Sequence, residues 1–197
     1  MPTPFRAIML AALVLATLAT GCSPTSKEPL SGEENSKLDE RLLGKWQDNW
    51  DWEAGVGRVE PSFAEIKRKV GSATGLELIE FPKRPGDADR LPFYTTKIGD
   101  YGYLTIDAGN PPDGKAFYIL RYRFVGDDTV DFYVMDDKAI ARAIMKNELK
   151  GSYLGGHPSN AKCVSIADSR DNLRRYLEKH GDECYLDRFL RLTRRQK

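Results

Sequence analysis

Apolar and polar positions alternate with period two through the middle of the chain. Leu76–Phe81, Phe93–Ile98, Tyr101–Asp107, Ala116–Val125 and Thr129–Met135 are short, rich in aromatic and β-branched residues, and bounded by turn formers, which is the pattern of strands lying on a half-buried sheet. Gly99-Asp100 and Gly126-Asp127-Asp128 separate neighbouring runs and read as hairpin connections. In Thr129–Met135, Val130, Phe132 and Val134 share one face. Ser62–Val70 fits two templates. Ser62 and Glu65 form a capping box for a helix that would stop at Gly71, or the segment is a strand with Ala64, Ile66 and Val70 on one face. The strands around it favour the second reading.

The period changes after residue 135. Asp136 or Asp137 caps a helix over residues 137–150, with Ile140, Ala143, Ile144 and Met145 as its apolar stripe and Gly151 as its stop. A glycine-rich loop, residues 151–160, leads to a strand around Cys163–Ala167. Asp168 or Ser169 then caps a second helix, with Leu173, Tyr176, Leu177 and His180 at helical spacing and Gly181 ending it. A last strand places Leu186, Leu190 and Leu192 inward. The fold class is mainly β (α+β), an antiparallel meander forming a small barrel or half-barrel with two helices near the C-terminus.

One apolar run has a different length and setting. Ala7–Leu18 is interrupted only by Thr17 and preceded by Arg6, which is too short to span a bilayer and has the profile of a secretory signal. Leu18, Ala19, Thr20 and Gly21 leading into Cys22 resemble the lipobox of bacterial lipoproteins. That resemblance implies cleavage before Cys22, a diacylglycerol on its sulfur and an acyl chain on its new amino group. Several chains together hold a protein where one does so only weakly. Ser23, standing where aspartate would favour the inner membrane, implies an outer-membrane location facing the periplasm. The alternative is an ordinary signal peptide with an incidental cysteine. The chain then divides into a signal peptide (1–21), a lipidated N-terminus with a flexible tether (22–37), and one folded domain (38–197). Ser23–Lys37, mostly Ser, Pro, Glu and Lys, has too little apolar surface to offset its ordering entropy.

Composition narrows the function. Without Arg6 the chain carries 29 basic against 29 acidic side chains, so nucleic acid is not an expected partner. Cys163 and Cys184 remain beyond Cys22. An even pair exported to an oxidising compartment predicts a disulfide worth about 3 kcal/mol, with two free thiols as the alternative. A metal site would need His157, Cys163, His180 and Cys184 together, and their spacing fits no compact zinc motif. No G-x-S-x-G or H-E-x-x-H is present, and Asp127/Asp128 and Asp136/Asp137 read as turn and cap chemistry. No enzyme and no cofactor are expected.

Leu43-Gly44-Lys45-Trp46 resembles the G-x-W opening of lipocalins and related small barrels. That resemblance implies that Trp46 plugs one end of a barrel under an arginine from the last strand, Arg188 or Arg191. The helix-then-strand ending resembles that of uncharacterised bacterial lipoproteins with lipocalin-like barrels. Trp46, Trp50 and Trp52 alternate with polar residues near the barrel mouth, and with Phe117, Ile119, Phe132 and Val134 they form the candidate lining for an apolar or amphipathic ligand. The expected role is a membrane-anchored binding module. The alternative is an envelope structural or assembly factor that works through protein contacts.

Overall fold

The computed structural model describes residues 23–48, 63–80, 90–109 and 114–195. Its strands are β1 (Thr25–Ser26), β2 (Gly44–Asp48), β3 (Phe63–Arg68), β4 (Leu76–Glu80), β5 (Arg90–Ile98), β6 (Tyr101–Asp107), β7 (Phe117–Phe124), β8 (Thr129–Tyr133), β9 (Gly151–Leu154), β10 (Lys162–Ile166) and β11 (Leu190–Arg194). The helices are α1 (Asp137–Met145) and α2 (Arg170–His180). Eight antiparallel strands close a barrel in the order β2-β3-β4-β5-β6-β7-β8-β11, with Trp46 opposite Arg194 on the closing ladder. The edge of β7 is shared: Arg121–Phe124 pair with β8, while Phe117 and Tyr118 pair with β1. From there β1, β10 and β9 extend the sheet away from the barrel.

Two apolar cores follow from strand alternation. Inward residues, among them Trp46, Phe93, Leu120, Tyr122, Phe132 and Leu192, fill the barrel. Outward residues of the same strands, including Tyr103, Ile119 and Tyr133, pack beneath α1, α2 and β10. Strands covered on both faces are therefore apolar on both faces, and only Arg121 and Arg123 interrupt the outer side of β7.

The meander, its hairpins and the strand over Phe63–Arg68 are as the alternation predicts. The ends of several elements differ. β3 stops at Arg68, so Val70 lies in a turn and is 89% exposed. α1 ends at Met145, because Asn147 adopts a left-handed φ of 59° and turns the chain before Gly151. Gly151–Leu154, expected as loop, is the edge strand β9, and Leu186, expected inside, is exposed. Asp136 caps α1 by accepting from the Lys138 amide (2.9 Å), and Ser169 caps α2.

The larger correction concerns residues 23–37, which are not a free tether. Pro24 is buried, β1 is paired on both sides, and the Lys27 amide donates to the Ile166 carbonyl at 2.8 Å. Leu30 is 1% exposed, and the Ser31 amide donates to Thr105 Oγ1 at 3.1 Å. Ser72, Ala73 and Tyr94 then bond the Glu33 carboxylate, holding it below the usual carboxylate range. Composition underestimates this stretch because its ordering is supplied by the sheet edge and by one leucine, not by a core of its own. Residues 1–22 lie outside the described residues, and so does the expectation for Cys22.

Asp137 gives the helix a pH signature. Burial first, and the neighbouring Asp136 second, push its carboxyl up to about 6, and its Oδ1 is buried without a hydrogen-bond partner. A folded-state value above the unfolded one means that protonation favours the fold. Stability is therefore gained as pH falls from about 6 to about 4, and the penalty is fully present above that window. Asp137→Asn is expected to raise Tm at pH 7 and leave it nearly unchanged at pH 4. Thermal unfolding of both proteins across that range checks the difference.

Candidate functional site at the barrel mouth

One end of the barrel is sealed. Asp39 caps a 3-10 turn (Glu40–Leu42) laid across it, and Trp46 is fully buried with Nε1 donating to the Leu42 carbonyl at 2.7 Å. The guanidinium of Arg194 stacks 4.4 Å from the Trp46 ring and donates to the carbonyls of Leu43 (2.8 Å) and Arg41 (2.6 Å). Gly44 has φ 133°, and a Cβ there would meet the Arg194 guanidinium at 2.7 Å, so glycine is required by both backbone and space. The plugging arginine is thus Arg194, not Arg188 or Arg191. Arg191 instead grips the buried Asp131 with two hydrogen bonds of 2.6 and 2.7 Å on the outer face. Tyr122 occupies the room left by Gly102 and donates to Asp39 at 3.0 Å. Burial pushes the Asp39 carboxyl up, but its bonds from Arg41 and Tyr122 outweigh this and hold it below its ordinary value.

At the other end β2, β4, β6 and β8 finish and β3, β5, β7 and β11 begin, as the antiparallel register requires. Inward positions there, Leu78, Leu91, Tyr118 and Val134, pack on the barrel core yet remain only half-buried, and Phe189 joins them from the approach to β11. Burial pushes the Tyr118 hydroxyl up. This ring is apolar with one phenol, a lining suited to a hydrocarbon or amphipathic molecule.

The expected ligand residues are dispersed over the fold. Phe132 lies inside the barrel and Val134 at the mouth. Trp46 forms the sealed floor. Phe117 and Ile119 face outward, because they share the side of β7 that carries Arg121 and Arg123. Trp50 and Trp52 lie outside the described residues. Leu78, Leu91 and Tyr118 were not expected. The two arginines of β7 were the available signal, since a guanidinium does not fit an apolar barrel interior, which marks their side as the outer face and puts Tyr118 inside.

The cysteines are not bridged. Cys163 is exposed at a bulge in β10, with φ 50°, while Cys184 is completely buried in the outer core with its thiol against the Gly181 carbonyl. Burial pushes the Cys184 thiol up to about 12. The expected Cys163–Cys184 disulfide fails because one side chain faces solvent and the other faces the helix-covered core. His157 caps the 3-10 turn Pro158–Asn160, and His180 stacks on Tyr176. Among the described residues no three His, Cys, Asp or Glu side chains gather as a metal site, and no helix is long and apolar enough to cross a membrane.

Arg121 forms a second polar cluster, on the outer face. Its guanidinium lies 4.3 Å from the Tyr101 ring and 4.8 Å from those of Tyr133 and Tyr185. Nη1 donates to the Gly181 carbonyl (2.8 Å) and to Asp182 (3.0 Å), fastening the end of α2 to the barrel.

Fold and site together define a closed eight-stranded antiparallel barrel, sealed at one end and lined with half-buried apolar residues at the other. Compared with family models, with curated proteins and with solved structures, the chain matches none.

Proposed function

We propose that this chain is a lipid-anchored barrel of the bacterial cell envelope, lipocalin-like in its plugged end, that receives a small apolar or amphipathic molecule at the end opposite the plug. The half-buried ring of Leu78, Leu91, Tyr118 and Val134 carries the reading. These side chains offer an apolar surface that a guest molecule would cover, and each further CH₂ buried there would contribute about 0.8 kcal/mol. The lipobox-like sequence before Cys22 supports the anchor and the envelope location.

The binding half is tested by titrating the purified protein with a fluorescent long-chain fatty acid, cis-parinaric acid. Saturable binding is expected, weakened at least about tenfold, or 1.4 kcal/mol, by Leu91→Arg with Tm kept. Absence of saturable binding, or an unaltered Leu91→Arg variant, would overturn the ligand reading and favour a factor acting through protein contacts.

A further inference from the structure

We propose that the folded body sits directly on the phospholipid surface through the end of the sheet where β10 begins, instead of floating on a tether. The inference rests on reading Cys22 as the acylated residue and adds where the body must then lie. Pro24 is buried, and Thr25 and Ser26 are hydrogen-bonded into the sheet between β7 and β10. Ser23 is the only residue between that fixed point and Cys22. Two residues span at most about 7 Å, so the acyl chains leave the protein at its own surface.

The register says which surface. β1 runs parallel to β10, with Thr25 beside Ser165, so the preceding residues pass toward the first residues of β10. Lys162 and Cys163 are exposed there, and Leu154, opposite Lys162 on the edge strand β9, is 65% exposed. A leucine able to enter the headgroup layer beside a lysine able to meet lipid phosphates is the chemistry of a surface resting on an anionic bilayer. Lys115, exposed just before β7, lies at the other end of the barrel, because β10 runs parallel to β1 and β1 antiparallel to β7.

The exposed Cys163 thiol reports on this arrangement without any added probe site. The full protein, acylated in its host, is reconstituted into vesicles of phosphatidylethanolamine and phosphatidylglycerol and treated with a membrane-impermeant maleimide. A second protein carries a twenty-residue Gly/Ser insertion between Ser23 and Pro24. Cys163 is expected to react at least about tenfold faster with the insertion than without it. A thiol placed by Lys115→Cys, in a Cys163→Ser background, is expected to react equally in both. Leu154→Asp, a change at an exposed side chain, is expected to recover part of the Cys163 rate without the insertion. Equal Cys163 rates with and without the insertion, with flotation and N-terminal mass showing acylated protein on the vesicles, would overturn the docked arrangement alone. A native protein with no acyl group at Cys22 would overturn the anchor and this inference together.

Discussion

Replacing Trp46 with alanine is expected to remove about 4 kcal/mol of folding stability. The side chain has no exposed surface, and its loss opens a cavity at the sealed end, where the 3-10 turn and the last strand meet. Two further losses accompany the cavity. The Leu42 carbonyl loses its indole donor, and the Arg194 guanidinium loses the ring it lies on. For a chain of this size the fall corresponds to about 8–16 °C in Tm, measurable by calorimetry. Arg194→Ala alone should cost somewhat less, because two backbone carbonyls lose a charged donor while the ring stays packed. The double variant should fall short of the sum of the two by more than about 1 kcal/mol, since each residue works through the other. Additive losses would mean that the plug is not a single unit.

Arg121→Ala is the second large effect, expected at about 3 kcal/mol. The residue is 7% exposed, and its removal strips the Gly181 carbonyl of its charged donor and leaves three tyrosine rings without the plane between them. Lysine should not restore the loss, because an ammonium cannot lie flat against several rings and bond a carbonyl and a carboxylate from one rigid fork. Methionine should recover the packing part only. Hydrogen exchange locates the damage. Amides of Gly181–Tyr185 are expected to lose protection first, with β2–β5 spared, whereas uniform loss would argue that Arg121 is ordinary core filling.

The barrel itself was legible because hairpin turns and alternation act locally. Gly99-Asp100 and Gly126–Asp128 fix which strands are neighbours, and Val130, Phe132 and Val134 fix which face is inside. The plug was legible as a motif at Gly44–Trp46, but its arginine was not, since choosing among Arg188, Arg191 and Arg194 requires the β2–β11 register. The candidate lining was harder to read for a similar reason. β7 is apolar on both sides, so periodicity selected Phe117 and Ile119 as readily as Tyr118 and Leu120, and only the helices packed outside explain why both sides are apolar. The disulfide expectation used compartment and count, which carry no direction for a side chain. The tether expectation used composition, which cannot register that two residues may complete a sheet edge formed elsewhere in the chain.

The ladder that closes the barrel joins Trp46 to Arg194, near opposite ends of the described fold. Chain segments so distant in sequence meet only after a large loop-closure entropy has been overcome, which makes closing the barrel a slow step. Until β11 arrives, β2 and β8 each present a bare row of amides and carbonyls to any passing strand. The hazard during biogenesis is thus edge-to-edge aggregation, governed by how quickly Leu190–Arg194 finds its slot.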